Sequence, residues 1–497
     1  MAARSSPKLL KNLRFLHTQS PSISNSTGSS LNLLEKLTPS IPKASTTSSV
    51  ENLNFDDGER LFSSMSTSQL LKSTFNLHLV SFDPVVDVGI RVMRSSLMEK
   101  KVFRGVLLEL IKRTVYDHFC AGENVEEASK TLQRLWDVGL RGILDYGLED
   151  ASDNHGCDRN LEEFLNTINT ASLLPPSSVS FSCVKITAIC PIYLLERVSD
   201  LLRWKQKNPL FNLPWKLDSL PFLCDSSPLY HTTSEPCPLT DQEERDLQLA
   251  LQRLMRLCEK CQETNLPLLV DAEYTSVQPA IDYLTYTAAI RFNDDENPIV
   301  FGTIQAYLRD AKERLVQAIE GAEKRGISMG FKLVRGAYMT RETELASSLG
   351  VASPIHGCIQ DTHECYNECA SFMLEKIALG HGSVVLATHN LESGKVAAAK
   401  AEELMIGKGN LKLQFSQLKG MADGLSLGLR NAGFNVSKYL PFGPVEKVMP
   451  YLLRRAEENR GLLSASTLDR QLMRGELKRR LKVAIMGGEG DKIMAQG

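Results

Sequence analysis

Short apolar runs alternate with longer amphipathic segments through most of the chain. The apolar runs predict strands, because they are short, rich in Val, Ile, Leu and Phe, and bounded by turn residues. The candidate strands are GILDY (142–146), SFSCVKITAI (180–189), PLLVDA (267–272), FGTIQAY (301–307), GFKLVRGAY (330–338), SVVLATHN (383–390), KLQFSQL (412–418) and SKYLPF (437–442). Helical spacing of apolar residues marks the intervening segments FLNTIN, ERDLQLALQRLMRLCEKCQ, YLRDAKERLVQAIEGAEKRG, HECYNECASFMLEKIALG and SGKVAAAKAEELM.

This regular alternation predicts an α/β fold. About eight strand–helix repeats between residues 139 and 465 match a (β/α)8 TIM-like barrel. An open doubly wound sheet is the alternative. It is disfavoured because no candidate strand is followed by a GxGxxG turn.

The N-terminal region has a different composition. Arg4, Lys8, Lys11 and Arg14 are interleaved with Leu and Phe, Ser and Thr are frequent, and no acidic residue precedes Glu35. A basic, Ser-rich, acid-free start is typical of a mitochondrial transit peptide. We therefore predict a transit peptide and disordered linker over 1–50, with a plain disordered tail as the alternative.

Three further regions lie outside the strand–helix repeats. Residues 54–138 have a helical pattern, and the Pro-, Ser- and Cys-rich stretch of about 204–242 reads as an excursion inserted between the second strand and the next helix. The tail 466–497 contains the basic amphipathic sequence DRQLMRGELKRRLKV (469–483). Such a sequence predicts contact with an anionic membrane surface or a partner, and a solvated terminal helix is the alternative.

The overall composition excludes several classes of protein. The chain has 497 residues, and 57 Lys and Arg balance 59 Asp and Glu, so charge gives no reason to expect nucleic-acid binding. The sequence has no apolar run long enough to span a bilayer. Hydrolytic motifs such as a nucleophile elbow, HExxH or a P-loop do not occur.

Eleven cysteines are scattered without the spacing of a disulfide framework, which fits a reducing compartment. Cys258 and Cys261 form a lone CxxC in a helical stretch, with no second pair to complete a zinc site. A second group, in which metal binding is the minor interpretation, comprises His356, Cys358, His363, Cys365 and Cys369. We predict no bound metal.

Polar residues occur in or just after successive candidate strands. Each one alone has a structural explanation, such as a helix cap or a core ion pair. A whole series is harder to explain in this way, because barrel cores are filled with Val, Ile and Leu and active sites lie at the strand ends. The series is Lys185, Asp271, Glu273, Gln305, Lys332, Arg335, Thr388, His389, Asn390, Gln414, Gln417 and Tyr439.

The segment YLLRRAEEN (451–459) predicts an amphipathic helix with Arg454, Arg455 and Glu458 close together on one side. A solvated basic face is the simplest interpretation. Two adjacent guanidiniums also suit a carboxylate or phosphate held between them. Together with the polar strand ends, they predict a site for an anionic substrate and a cofactor that carries the difficult chemistry.

Several motifs resemble those of proline dehydrogenases, in the same order. They are LVDAEYT, TIQAYLRD, KLVRGAY, LATHN, QFSQLKGM and KYLPFGPVEKVMPYLLRRAEEN, and together they span roughly residues 139 to 465. The N-terminal start and the excursion make the chain similar to the eukaryotic, mitochondrial, plant-type members. The resemblance implies a distorted (β/α)8 barrel that binds FAD noncovalently at the strand ends.

The resemblance also implies roles for individual residues. Arg454, Arg455 and Lys185 would hold the substrate carboxylate, and Asp271 would organise this basic set. Leu333, Tyr338 and Tyr439 would pack against the pyrrolidine ring. The implied substrate-site residues are Lys185, Asp271, Leu333, Tyr338, Tyr439, Arg454, Arg455 and Glu458.

FAD would lie along KLVRGAY, with Lys332 near flavin N5, where bacterial members carry Arg. The implied FAD contacts are Gln305, Lys332, Val334, Gly336, Ala337, Thr362, His389, Asn390 and Gln414. The implied reaction is hydride transfer from C5 of L-proline to flavin N5, which yields Δ1-pyrroline-5-carboxylate. Electrons would then pass to a quinone of the inner mitochondrial membrane, which the protein would contact peripherally from the matrix side.

Other functions stay open from the sequence. The resemblance implies that Tyr439 favours proline over hydroxyproline, and the physical reason would be that a phenol ring leaves no room for a ring hydroxyl. A hydroxyproline dehydrogenase is the alternative. A flavin-free, aldolase-like barrel would use Lys185 or Lys332 to form a Schiff base. A barrel that has lost catalysis and serves as a binding module is the non-enzymatic alternative.

Overall fold

The computed structural model describes residue 55, residues 57–79, three single residues between 80 and 100, residues 101–461 and residues 463–494. Within these ranges it describes side chains except at 101–102, 456–468 and 486–494. The predicted transit peptide and linker at 1–50 therefore lie outside the described residues, and so does the side chain of Glu458.

Eight parallel strands pair in chain order and form a closed barrel, because the first strand also pairs with the last. This confirms the predicted (β/α)8 fold and excludes the open doubly wound sheet. The strands are β1 Arg141–Tyr146, β2 Val179–Val184, β3 Leu268–Val270, β4 Val300–Gln305, β5 Gly330–Val334, β6 Ser383–Ala387, β7 Leu413–Leu418 and β8 Val436–Phe442.

Side chains alternate between the barrel interior and the surrounding helices, as the pleat of a strand requires. The interior holds an apolar cluster that comprises Ile143, Phe181, Cys183, Leu269, Phe301, Val385 and Tyr439. Their strand neighbours, such as Leu144, Phe331 and Leu440, belong to the larger core between strands and helices. The interior cluster fills the barrel, so polar side chains above it collect at the carboxyl ends of the strands.

Helices surround the barrel and connect its strands. Before β1 the described helices are Gly58–Leu61, Thr67–Leu79, Lys101–Ile111 with a π-helical extension Lys112–Tyr116, Asp117–Phe119 and Val125–Asp137. From β1 onward they are Asn154–Ser172, Ile186–Ile189, Ile192–Lys207, Asp241–Thr264, Gln278–Phe292, Ala311–Glu323, Met339–Ser348, Ile359–Ala378, Leu391–Glu403, Asp423–Asn431, Met449–Gly461 and Leu463–Met494.

The second strand is shorter than predicted, and a helix follows it that the sequence analysis did not assign. β2 ends at Val184, and a short helix Ile186–Ile189 takes up the rest of the predicted strand. Helix Ile192–Lys207 then precedes the irregular segment 208–240. The predicted start of the excursion at residue 204 falls inside the last turn of this helix.

The irregular segment 208–240 wraps the outer side of helix Gln278–Phe292. Trp215 and Phe222 contact the ring of Tyr283, whose hydroxyl accepts a hydrogen bond from the amide of Leu217 at 2.9 Å. Helix Gln278–Phe292 is buried on nearly every side, because the strands cover one face and this segment covers the other. A helix in this position carries no polar stripe.

The C-terminal helix Leu463–Met494 contacts the N-terminal helices Gly58–Leu61 and Thr67–Leu79 and the barrel helix Asp423–Asn431. Arg480 donates to the carbonyls of Phe62 and Met65 at 2.8 and 2.7 Å. The Asp469 carboxylate accepts from the amides of Asp423 and Gly424 at 2.8 and 3.0 Å. Among the described helices, none combines the length and hydrophobicity needed to cross a bilayer.

Candidate active site

The polar side chains at the barrel mouth converge on Asp271, the first residue after β3. Its Oδ2 accepts a hydrogen bond of 2.7 Å from the Tyr439 hydroxyl and lies 3.5 Å from Lys185 Nζ. Lys332 forms an ion pair with the other carboxylate oxygen and lies 5.0 Å from the centre of the Tyr439 ring. Three predicted residues, one just after β2 and the others in β5 and β8, thus surround the carboxylate of a fourth, which follows β3.

The charges of this cluster stabilise one another. Burial disfavours the charged form of Asp271, but Lys332 and Lys185 outweigh it and lower the Asp271 pKa below its ordinary range. Burial also disfavours the Lys185 ammonium, yet the carboxylates of Asp145 and Asp271 raise the Lys185 pKa well above its ordinary value. Burial raises the pKa of Tyr439, so its hydroxyl keeps the proton that it donates. Asp271 and Lys185 are therefore charged, and Tyr439 is neutral, at neutral pH.

A second carboxylate, Asp145 near the end of β1, was not predicted as a site residue. Both of its oxygens lie 3.2 Å from Lys185 Nζ, and the residue is 1% exposed. The sequence does contain a signal, since a lone Asp in the apolar strand GILDY must find a partner when buried. The partner itself is set by the β1–β2 register, which places Asp145 opposite Cys183.

Helix Met449–Gly461 brings the predicted arginines over the barrel mouth. Arg454 makes a bidentate ion pair with Glu149, with N–O distances of 2.8 and 3.1 Å. Burial works against the charge of Glu149, but Arg454 lowers the Glu149 pKa below its ordinary value. Arg455 is buried, at 8% exposure, and stacks on the Tyr451 ring at 5.3 Å. Glu149 follows β1 and is not among the predicted site residues.

Tyr338 lies beneath this helix, after β5. The Arg454 guanidinium is 5.7 Å from the centre of its ring, and the ring of Tyr274 meets it edge-on at 5.7 Å. Burial raises the Tyr338 pKa, and the nearby charges of Arg454, Glu273 and Glu149 contribute smaller effects. Tyr338 therefore lies between the arginine helix and the β3 loop.

Glu273 joins three neighbouring loops at the mouth. Its carboxylate accepts from the Thr187 hydroxyl at 2.9 Å and the Thr187 amide at 3.3 Å, and its backbone carbonyl accepts from the Gln305 side chain at 2.7 Å. The residue is fully buried, and burial raises its pKa to about 8. Glu273 thus fixes the end of β4 relative to the end of β2, and it positions Gln305.

The residues predicted to contact a cofactor lie mainly after β5 and β6. Val334, Gly336 and Ala337 are partly exposed, and Thr362 is buried in the first turn of helix Ile359–Ala378. Gly336 has φ of +137°, and an added Cβ would lie 2.3 Å from a ring carbon of Tyr307. Only glycine fits here, because the Tyr307 ring occupies the space that a side chain would need.

Arg335 organises the same side of the mouth. Its guanidinium donates to His363 Nδ1 at 2.9 Å, to the Thr388 hydroxyl at 2.7 Å and to the Ser393 hydroxyl at 2.8 Å, and it stacks on the Tyr366 ring at 4.5 Å. The amino ends of helices Ile359–Ala378 and Leu391–Glu403 meet around this cation. Two helix amino ends and a guanidinium form an environment that suits an anion.

His389 and Asn390 follow β6 on this side. His389 Nε2 accepts from the Leu418 amide at 3.1 Å. Burial and the nearby charges of Arg455 and Lys438 lower the His389 pKa to about 3, so the ring is neutral. Asn390 caps helix Leu391–Glu403 by accepting from the Ser393 amide at 2.9 Å.

Two predicted site residues, Leu333 and Gln414, do not lie with the others, and their predicted roles stay predictions. Leu333 is fully buried in the core outside the barrel, because its neighbour Lys332 faces the interior and successive strand side chains point in opposite directions. Gln414 is the second residue of β7 and accepts from Ser437 at 3.0 Å, at the amino end of the barrel. Gln414 is therefore on the opposite end of the strand from the mouth.

The cluster of charged residues around Asp271 has one geometric feature of a metal site. Ligand atoms of Asp145, Cys183 and Asp271 lie within 4.8 Å of one another. Lys185 contacts both carboxylates, and Lys332 pairs with Asp271. A divalent cation would be repelled by both ammoniums, so the arrangement suits an anionic ligand better than a metal.

The Cys258 and Cys261 thiols of helix Asp241–Thr264 are buried, and burial raises the pKa of each thiol.

A sequence profile of the family described as proline dehydrogenase matches residues 128–467, well over half of the chain. Proline dehydrogenase 1, mitochondrial, of Arabidopsis thaliana is 57% identical over 443 residues, which cover 88% of this chain and 89% of that protein. Hydroxyproline dehydrogenase of Bos taurus is 32% identical over 445 residues, which cover 86% of this chain and 93% of that protein.

Among solved structures, proline utilization A from Bdellovibrio bacteriovorus, inactivated by N-propargylglycine, has a similar fold. It aligns with a TM-score of 0.58 and 19% sequence identity over 87% of this chain. The chain spans 42% of the length of that larger protein. At this identity the likeness supports the barrel fold alone.

Proposed function

Because the chain belongs to the proline dehydrogenase family, we propose that it oxidises L-proline to Δ1-pyrroline-5-carboxylate with FAD as the hydride acceptor. The observation that carries this proposal is the convergence of Lys185, Lys332 and Tyr439 on Asp271, beneath the arginines of helix Met449–Gly461. A small, anionic, partly apolar substrate suits a pocket that combines cations with aromatic rings.

The cations would bind the proline carboxylate. Lys185, Arg454 and Arg455 approach the mouth from two directions, one from the end of β2 and two from the last barrel helix. Charge-assisted contacts from both sides fix the orientation of the carboxylate as well as its affinity. Asp271 and Asp145 would keep Lys185 charged and in place before the substrate arrives.

The aromatic side chains would position the ring. Tyr439 is held by its hydrogen bond to Asp271, and Tyr338 is held between Tyr274 and Arg454. Helix Met449–Gly461 would cover the substrate and exclude water, with the Glu149–Arg454 ion pair holding it to the β1 end. Exclusion of water strengthens each charge interaction inside the site.

The residues on the β5 and β6 side fit FAD. Arg335 and two helix amino ends suit its diphosphate, and Gly336 permits close approach of the backbone. When bound, FAD would supply the two-electron acceptor for the hydride from proline C5. The residues that would hold it are Gln305, Lys332, Val334, Gly336, Ala337, Thr362, His389 and Asn390.

Hydroxyproline is the second candidate substrate, since some relatives bear that name. Tyr439 favours proline, because its ring is buried and its hydroxyl is fixed by Asp271. A ring hydroxyl on the substrate would need the space that this phenol fills.

The Schiff-base alternative is disfavoured by the state of Lys185. A lysine that attacks a carbonyl must be neutral, and such lysines have lowered pKa values. The two carboxylates beside Lys185 raise its pKa instead. Lys332 likewise pairs directly with Asp271.

A visible absorption spectrum of the purified protein tests the proposal. Without oxygen, we expect flavin bands near ~450 nm that bleach when L-proline is added. Bands that persist with proline but bleach with hydroxyproline would reassign the substrate. A colourless protein that FAD cannot reconstitute would refute the flavin assignment, and no reduction by either substrate would favour a binding module.

We further propose that the protein works in mitochondria, on the matrix side, and passes electrons to a membrane quinone. Support comes from the basic N-terminal sequence and the mitochondrial relatives. Membrane contact is proposed near the exposed Leu481 and Ile485, which lie one helical turn apart and follow a basic stretch of the C-terminal helix. Replacing both by Ser should release the protein from anionic vesicles in sedimentation. Unchanged sedimentation with the vesicles would contradict membrane contact at this surface.

Deleting the tail is not a clean test of membrane contact. Met473, in the same helix, is fully buried, and Arg480 binds the N-terminal helices. A truncated chain would lose folding contacts as well as the proposed surface.

A further inference from the structure

The segment 208–240 reaches the barrel mouth through His231. The Nε2 atom of His231 lies 2.9 Å from the hydroxyl of Thr275 in the loop after β3. This loop also carries Asp271 and Tyr274. A side chain of the irregular segment therefore contacts the same loop that organises the candidate site.

Thr275 in turn donates two hydrogen bonds to the Glu342 carboxylate. The Thr275 amide donates to Glu342 Oε1 at 2.6 Å, and the Thr275 hydroxyl donates to Glu342 Oε2. Because the hydroxyl proton is used in this bond, His231 must donate its Nε2–H to the hydroxyl oxygen. Burial and the charge of Arg203 lower the His231 pKa to about 3, which keeps the ring neutral.

Glu342 holds the short helix that begins after Tyr338. It is 1% exposed and belongs to helix Met339–Ser348, and its amide donates to the Tyr338 carbonyl at 3.0 Å. The next residue back, Arg341, stacks on Tyr274 at 3.5 Å. The position of Glu342 thus controls the distance between the Tyr338 turn and the β3 loop.

We propose that His231, Thr275 and Glu342 form a brace through which the 208–240 segment holds Tyr338 in place for substrate binding. His231 and Glu342 are positioning residues in this scheme, since they act on the substrate only through Tyr338. The proposal rests on the proposed function, because it gives Tyr338 a role against the pyrrolidine ring. It gives the 208–240 segment a role in substrate binding in addition to its packing against helix Gln278–Phe292.

The 208–240 segment makes other hydrogen bonds, so removing the His231 bond should not detach the segment from the barrel. Thr232 donates to Asp200 in helix Ile192–Lys207, and Ser227 donates to Asp310 at 2.8 Å. Leu217 is bound to Tyr283. Loss of the His231 bond should therefore leave the segment in place and loosen only the connection to Thr275.

The kinetic test compares His231→Ala, His231→Gln and the matched control Thr232→Val. The control removes the hydrogen bond from the adjacent Thr232 to Asp200, and it leaves in place the bonds from Arg203 to Asp200 and to the Thr275 carbonyl. We expect His231→Ala to raise the proline KM about fivefold to tenfold with little change in kcat. Gln can still donate from its amide, so His231→Gln should recover most of the affinity, and Thr232→Val should match the wild type.

A second readout does not depend on activity. Hydrogen exchange of the amides at 338–348 should be faster in His231→Ala than in Thr232→Val, with no substrate present. Equal exchange in the two variants, or a KM rise that Thr232→Val shares, would overturn the brace. If the wild type fails to oxidise proline, the proposed function fails, while the exchange comparison still decides whether the brace exists.

Discussion

Two replacements of Tyr439 separate the steric role of its ring from the role of its hydroxyl. Tyr439→Phe removes the 2.7 Å hydrogen bond to Asp271 and keeps the ring. A hydrogen bond to a charged acceptor contributes about 1.5–3 kcal/mol, so this variant should lose stability and bind proline more weakly. Its preference for proline over hydroxyproline should stay near the wild-type value, because the ring still fills the pocket.

Tyr439→Ser removes the ring as well. Truncating a buried aromatic side chain costs about 3–5 kcal/mol of stability and opens space beside the substrate. We expect the ratio of kcat/KM for proline to that for trans-4-hydroxyproline to fall at least about tenfold, which corresponds to about 1.4 kcal/mol. Both ratios should be measured by dye reduction, with rates normalised to bound flavin.

Comparing the two variants shows whether the ring or the hydroxyl of Tyr439 sets the preference for proline over hydroxyproline. If Tyr439→Phe lowers the ratio as far as Tyr439→Ser does, the hydroxyl and not the ring sets selectivity. If neither variant changes the ratio, the steric explanation is wrong.

Three further predictions concern charged groups of the site. Arg455→Met should raise the proline KM by at least about thirtyfold, since losing one member of a buried charged contact costs about 2–5 kcal/mol, and a KM near the wild-type value would remove Arg455 from the site. Glu149→Gln should raise the proline KM about tenfold, because it weakens the bidentate pair with Arg454. The control Glu446→Gln breaks the exposed pair with Arg104 and should leave KM unchanged. Equal effects of the two variants would contradict the role of Glu149 in holding helix Met449–Gly461 over the substrate. For Glu273, the folded pKa of about 8 lies above the ordinary value of 4.5, so the folded state holds an extra proton and stability should fall as pH rises from about 4.5 to 8. Glu273→Gln should flatten that part of the stability–pH curve measured with denaturant, and a curve parallel to the wild type would refute the assignment.

The barrel could be predicted from sequence because each strand has a local signal. Short apolar runs bounded by turn residues identified all eight strands, and their alternation with helices fixed the parallel order. Helix Ile192–Lys207 was missed, although its apolar residues have helical spacing, because it runs directly into the irregular segment. The wrapping of helix Gln278–Phe292 by that segment depends on tertiary contacts, for which the sequence has no local signal.

The site was predictable in its residue types but not in its pairings. The lysines, Asp271 and Tyr439 stood out as polar residues in buried strands, whereas Asp145 and Glu149 were identified only through their partners. A residue's place in a strand decides which face it points to and which end of the barrel it reaches. These two properties separate Leu333 and Gln414 from the other predicted residues.

The contacts of Arg480 have a consequence for the order of folding. It joins the C-terminal helix to carbonyls more than four hundred residues earlier in the chain, at Phe62 and Met65. Contacts of such separation form late, because a long loop must close before they stabilise anything. The helices Gly58–Leu61 and Thr67–Leu79 are made first and must wait for the last part of the chain before they can bury Leu61 and Leu70. Until then these two helices lack their contacts with the C-terminal helix, so a tag that obstructs that helix should delay their packing.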